Sequence, residues 1–235
     1  MLNLFREVRV IQETSLRVKV WGDYACFTRP EMKVERVSYP LMTPTAARGV
    51  LEAVFWKPEF RWQVEEIWVL KPIEYFSILR NEVNGRASEG TARGWAKNGG
   101  KGGFDSAETK AGGGTHDERS QRHTLGLRNV AYVITAHQVL RPDVTDDPAK
   151  YRDQFRRRVR DGRCFATPYL GCREFSAGFS EPDGSERPLD RSDDLGRMLL
   201  DIAYAPSGSG RSAPQFWNAT LDRGVLRVPQ PQAVA

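Results

Sequence analysis

Cysteine is scarce in this chain of 235 residues: there are 3, Cys26, Cys164 and Cys172, widely spaced and with no CxxC pair. An odd number in that arrangement excludes a disulfide framework and a cysteine-rich metal centre, and it fits a reducing, cytoplasmic setting. Histidine is as sparse. His116, His123 and His137 stand at spacings that suit no metal ion, with no acidic cluster beside them, so neither a metal nor a cofactor is expected. No apolar run approaches the roughly 20 residues of a membrane-spanning helix, and Met1 to Glu7 has no basic stretch leading into an apolar one; neither a membrane protein nor a secretory leader is expected. Acidic side chains are the minority, 30 against 35 Lys and Arg, for a net charge of +5. That excess favours a polyanionic partner, because each Lys or Arg set against a phosphate releases condensed counterions. With 40% hydrophobic residues the chain can bury a core as one generous domain or a domain with a small second lobe.

Leu16 to Trp21 alternates apolar with basic residues and reads as a strand whose polar side is cationic, a sheet face suited to nucleic acid. Thr43-Pro44 opens a helix with Thr43 as N-cap; Ala47, Val50, Leu51 and Val54 recur at helical spacing, and Lys57-Pro58 stops it. A second strand runs from Phe60 to Lys71 and a third from Arg128 to about Leu140. Between them, Gly85 to Gly114 carries 10 glycines among Ser, Thr, Lys and Arg, and residues 85–120 read as a long flexible loop. Asp147-Pro148 caps a second helix with Tyr151, Phe155 and Val159 as its apolar stripe, and Leu170 to Phe179 reads as a fourth strand. The order predicts an α+β, ferredoxin-like (RRM-like) βαββαβ domain over 1–180, of a kind that many RNA-recognition proteins use. A small antiparallel β extension is expected over 181–235, with a strand near Met198–Tyr204 and a hairpin at Asp222-Arg223-Gly224.

Three blocks carry a resemblance: Val20-Trp21-Gly22-Asp23-Tyr24-Ala25-Cys26-Phe27-Thr28-Arg29-Pro30, then Thr43 to Ala53 running into Trp56-Lys57-Pro58, then Leu170-Gly171-Cys172-Arg173-Glu174-Phe175. In this order they resemble the type I-C member (subtype d, also called Dvulg) of the fifth Cas protein family, within the RAMP superfamily. The resemblance implies a CRISPR Cascade subunit that binds repeat RNA, cleaves pre-crRNA without a metal, and retains the crRNA 5′ handle beside the Cascade backbone and large subunits. The implied reaction is attack of a ribose 2′-OH on the adjacent phosphate, which needs activation of that hydroxyl, a proton for the leaving 5′ oxygen, and a cation at the phosphorane.

Relatives of this kind use a Tyr, a Lys and a His. Here the Tyr position holds Phe55, the Lys position holds Lys150, and the His position holds Tyr151. The candidate catalytic residues are therefore Lys150, Tyr151 as a substitute donor, and His123, which borders the Gly-rich loop and is of the residue type that supplies a general acid or base. His137 is expected to be structural. Lys150 to Arg163 holds seven basic residues against Asp153 and Asp161; Arg152, Arg156 and Arg160 recur every four residues as a ridge, with Arg157 beside them. Arg119, Arg122 and Arg128 offer a second RNA-binding patch. Of Trp21, Tyr24, Phe27 and Tyr39, which have the faces to stack bases, Tyr24 is expected to be exposed. Two alternatives stay open: a non-catalytic scaffold on the crRNA handle, and a general double-stranded DNA binder acting through the ridge.

Overall fold

The computed structural model describes residues 15–83, 89–99, 119–204 and 212–229. Leu16, Val18 and Val20 face inward and Arg17 outward, which makes β1 (Leu16–Ala25) a half-buried strand. A single 3-10 turn (Pro30–Met32) and β2 (Arg36–Val37) follow. Helix α1 (Pro44–Val54) starts where the sequence predicts: the Thr43 hydroxyl accepts from the Ala46 N–H at 3.3 Å, and Ala47, Val50, Leu51 and Val54 are buried. The other elements are β3 (Phe60–Val69), β4 (Glu74–Val83), α2 (Glu89–Lys97), β5 (Arg119–Leu140), α3 (Pro148–Arg160), β6 (Gly178–Ser180), β7 (Asp193–Tyr204), β8 (Ser212–Asp222) and β9 (Val225–Arg227).

One sheet joins the strands in the order β6-β1-β5-β3-β9-β8-β7. All of these pairings are antiparallel, and only the short β2–β5 contact is parallel. The 22-residue β5 serves two purposes. Its second half is the central strand between β1 and β3, while its first half leaves the body and pairs with β4 as an arm. Helices α1 and α3 pack on one side, enclosing Val18, Val20, Leu51, Val54, Ile134 and Phe155 between helix and sheet. The C-terminal strands join this sheet through β9 on β3; the β8–β9 turn needs positive φ at Arg223 (45°) and Gly224 (75°), as two-residue hairpin turns do.

Several expectations are corrected. The fourth strand does not run from Leu170 to Phe179: Gly171 (φ 86°) reverses the chain, Leu170 N–H donates to the Phe175 carbonyl at 2.8 Å, and only Gly178–Ser180 pairs as strand. The third strand begins at Arg119 rather than Arg128, because β4, unpredicted, supplies a partner from Glu74 to Val83. Within the expected loop over 85–120, residues Glu89–Lys97 are helical; residues 85–88 and 100–118 lie outside the described residues. The cationic side of β1 is only partly open. Lys19 pairs with the buried Glu186 at 3.1 Å, and the Arg17 guanidinium lies 4.2 Å over the Trp68 ring. Among the described residues no helix is long and apolar enough to cross a membrane.

Candidate functional site

The N-terminus of α3 is where candidate residues meet. Asp147 caps it by accepting from the Ala149 N–H at 2.8 Å, with Pro148 at the first turn. Asp146 stands one residue before that cap, and its Oδ2 accepts from Lys150 Nζ at 3.0 Å and from the Tyr151 hydroxyl at 2.6 Å. The Tyr151 hydrogen bond, and after it that of Lys150, holds the Asp146 carboxyl below its ordinary range. The same carboxylate, with burial, pushes the Tyr151 hydroxyl up to about 12. The Tyr151 ring is buried, while Lys150 keeps 60% of its side chain exposed.

Tyr151 packs 5.4 Å from the Phe60 ring, and Phe60 lies 5.5 Å from Phe55 at the end of α1. The three positions singled out from the sequence, Phe55, Lys150 and Tyr151, thus converge on one corner where α1, β3 and α3 meet. Phe55 is fully buried and brings no polar atom. Over its ring, at 5.3 Å, lies the Arg158 guanidinium, whose Nη1 donates to the Val54 carbonyl at 3.0 Å and so caps α1 from outside. Arg158 was absent from the candidates. The signal that finds it is its place seven residues after Tyr151, on the edge of the buried stripe, where a charge has to find a partner.

His123 does not join this corner. It sits within β5, in the arm, rather than at a loop border; its N–H donates to the Glu35 carboxylate and it pairs with Leu79. Leu140, which pairs with Phe60, lies 17 residues further along the same strand, roughly 55 Å for an uncurled strand at about 3.3 Å per residue. His137 Nδ1 lies 2.5 Å from Glu65, and His116 falls outside the described residues.

The arginine ridge lies beside the buried stripe as the periodicity predicts. Arg152 is half-buried and Arg156, Arg157 and Arg160 are exposed; Arg156 pairs with Asp153 at 3.3 Å and Arg160 reaches Glu181 at 3.9 Å. The second patch is more self-satisfied: Arg122 pairs with Glu82 at 3.3 Å and Arg128 with Glu74 at 3.0 Å, while the Arg119 side chain lies outside the described residues. Tyr24 is 48% exposed, yet its ring packs 4.8 Å from Phe76 and 6.1 Å from Phe175. Phe27 and Tyr39 are core residues, and Trp21 is 40% exposed. Among the described residues no cluster of three or more His, Cys, Asp or Glu could hold a metal ion.

The blocks that carry the resemblance interlock. The Cys26 N–H donates to the Leu170 carbonyl at 3.0 Å, and Cys172 Sγ lies 3.6 Å from the Cys26 carbonyl and 3.7 Å from Arg36 Nη1. Hydrogen bonding from the Cys26 thiol, aided by Arg36, brings the Cys172 thiol down to about 6. Arg36 and Arg80 both bind Glu174 and Glu82, tying this segment to the arm.

A mixed α/β chain with one curled, mainly antiparallel sheet and a cationic helix along its flank is thereby defined. It belongs to the CRISPR-associated Cas5 family: residues 15–229 match the family described as "CRISPR-associated protein (Cas_Cas5)". It is 45% identical to the protein named "CRISPR pre-crRNA endoribonuclease Cas5d" of Thermus thermophilus, over 91% of both chains. It is 42% identical to the protein of the same name of Mannheimia succiniciproducens, over 91% of this chain and 94% of that one. Among solved structures, a CRISPR-associated protein aligns with a TM-score of 0.62 over 92% of both chains at 22% identity, and its likeness concerns the fold.

Proposed function

We propose that this protein binds CRISPR repeat RNA, cleaves pre-crRNA, and keeps the 5′ handle as a subunit of a type I-C Cascade complex. The observation that carries this is the identity, over nine-tenths of the chain, with two proteins named as pre-crRNA endoribonucleases. The ferredoxin-like RAMP reading of residues 1–180, with 181–235 as a β extension, belongs to the same proposal. It is supported by the order β6-β1-β5-β3, with α1 linking β1 to β3 and α3 linking β5 to β6.

In the proposed reaction a ribose 2′ oxygen bonds to the adjacent phosphorus as its proton leaves, the P–O5′ bond breaks, and the 5′ oxygen takes up a proton. The products are a 2′,3′-cyclic phosphate and a 5′-hydroxyl, and no metal takes part. Lys150 is the cation for the phosphorane: its ammonium is exposed and held by Asp146 at the head of an arginine-rich helix. Tyr151, kept protonated at neutral pH, is a donor and not a base. When RNA displaces Asp146, that hydroxyl becomes free to donate to a phosphate oxygen or the leaving 5′ oxygen. The arginines of α3 hold flanking phosphates.

A second reading, a non-catalytic handle-binding scaffold, is favoured by one observation: Phe55 has no hydroxyl and Tyr151 is buried with its hydroxyl already bonded. Purified protein incubated with its own repeat RNA in EDTA separates the two. Cleavage to 2′,3′-cyclic ends supports the enzyme, tight binding without cleavage supports the scaffold, and a requirement for added Mg²⁺ overturns the mechanism.

A further inference from the structure

The block Trp56-Lys57-Pro58 has no role in the site described above, and it lies beside the most exposed large hydrophobic side chain described. Phe165 is 79% exposed and Trp56 is 52% exposed. The main chain at Phe165 is anchored by backbone hydrogen bonds to α1. Helix α3 ends with Gly162 at φ 64°, its N–H donating to the Val159 carbonyl at 3.2 Å and Arg163 N–H to Arg158 at 2.8 Å; this left-handed cap folds the chain back toward α1. Phe165 and Ala166 then donate their N–H groups to the Ala53 carbonyl at 2.8 and 3.0 Å, three residues before Trp56. Two exposed aromatic residues thus flank the C-terminal end of α1: Trp56, two residues beyond it in the chain, and Phe165, whose main chain is bonded to its last turn. Holding an aromatic ring in water forgoes the energy of its burial. The adjoining end of α3 is predominantly cationic: Arg157, Arg158 and Arg160 lie in its last turn and Arg163 just beyond it, against Asp161 and Glu181, which pair with Arg163 at 3.8 Å and with Arg160 at 3.9 Å.

We propose that Trp56 and Phe165 form a base-stacking site at the joint of α1 and α3, which takes an unpaired nucleobase of single-stranded RNA. This rests on the RNA-binding reading above and deepens it: the arginines grip phosphates, while the two aromatics grip a base. The cationic surroundings argue for a polyanion as the occupant rather than an apolar protein surface. The site lies close to the candidate reacting corner, since Phe55, next to Trp56, touches Phe60, and Phe60 touches Tyr151. A base held there sets the register of the strand at Lys150.

The test compares binding of a short single-stranded RNA with that of an abasic ribose-phosphate strand of equal length. Wild-type protein should prefer the strand with bases. Phe165→Ala should lose about 5- to 100-fold in affinity for it, the usual range for one stacked base. Its affinity for the abasic strand and its salt dependence should stay unchanged, because no phosphate contact is removed. Phe165→Tyr should restore binding, and Trp56→Ala should repeat the Phe165→Ala pattern. Equal wild-type affinity for the two strands overturns the proposal, as does a Phe165→Ala protein that matches wild type or that loses both strands alike. Cleavage of repeat RNA reads the function separately: a protein that cuts it but shows no base preference refutes this site and leaves the endoribonuclease standing.

Discussion

Replacing Lys150 by Ala tests the reading of the α3 N-terminus most directly. The Lys150 side chain is 60% exposed and its partner Asp146 is half-exposed, so the ion pair contributes little to stability and Tm should hold. Lys150 is one of seven cations between residues 150 and 163, so the loss of one phosphate contact should flatten the plot of log affinity against log salt by only about 0.7. A preorganised cation on the phosphorane is a different matter: removing a group of that type costs about 10²–10³-fold in rate. Single-turnover cleavage of repeat RNA at saturating protein reads the chemical step apart from binding. Under the proposal Lys150→Ala loses cleavage while retaining RNA, and Lys150→Arg restores part of it. Tyr151→Phe leaves the ring packing on Phe60 and removes only the donor, so a further drop in rate would assign the leaving-group proton to it. A Lys150→Ala protein that cuts at the wild-type rate refutes the assignment outright.

Reversal of Arg152, Arg156 and Arg160 to Glu should weaken RNA binding and lower the salt slope by about 2, at about 0.7 per lost contact; an unchanged slope would show that the ridge faces a protein neighbour or water. Gly171→Ala should destabilise the fold by at least about 1–2 kcal/mol from its left-handed φ of 86° alone, and further because the added Cβ would lie 2.0 Å from the Cys26 carbonyl oxygen; urea unfolding at wild-type stability would refute this. Cys172, whose thiol is held below its ordinary range by its Cys26 neighbour and by Arg36, should react with iodoacetamide at lower pH than a free cysteine, and Arg36→Ala should shift that reactivity to higher pH; a reactivity profile unmoved by Arg36→Ala would refute this. The Asp146 carboxyl is held below the ordinary carboxylate range by Tyr151 and Lys150, so its contribution to stability is present above the unfolded value and lost as pH falls through the lower folded one; in Tyr151→Phe this acid step should shrink, as followed by circular dichroism.

Helices α1 and α3 were legible because their signals are local, whereas α2 lay hidden in a Gly-rich segment that reads as loop. Thr43-Pro44 and Asp147-Pro148 are caps followed by apolar residues at helical spacing, and both helices begin at the residue named. β4 was not legible. From Glu74 to Val83 both faces mix apolar and polar residues: Phe76, Ile78, Arg80 and Glu82 share one, Tyr75, Ser77, Leu79 and Asn81 the other. An arm that leaves the body has no single core side to impose alternation. The segment after Leu170 failed for the opposite reason. Its apolar residues are real contacts, with Leu170 fully buried and Phe175 half-buried, but they are met by a turn at Gly171 that sequence spacing does not announce.

The site was legible in its cations and opaque in its partners. Periodicity put Arg152, Arg156 and Arg160 in a ridge of α3 beside the stripe of Tyr151, Phe155 and Val159. It presented Tyr151 as a choice between packing and chemistry. The structure dissolves that choice, since the ring is buried against Phe60 while the hydroxyl reaches Asp146, which Lys150 also holds. Asp146 drew no attention in the sequence because it precedes an obvious cap, Asp147, and two adjacent acids before a helix read as one signal. His123 misled in the complementary way: proximity to the Gly-rich segment suggested reach, but a strand 22 residues long separates its arm from the corner where Phe55, Lys150 and Tyr151 meet. Position along a chain predicts a shared site only when the element between is short or folds back. Here α1 and α3 pack back onto the corner at Phe60, whereas β5 runs from that corner as one continuous strand and carries His123 away from it.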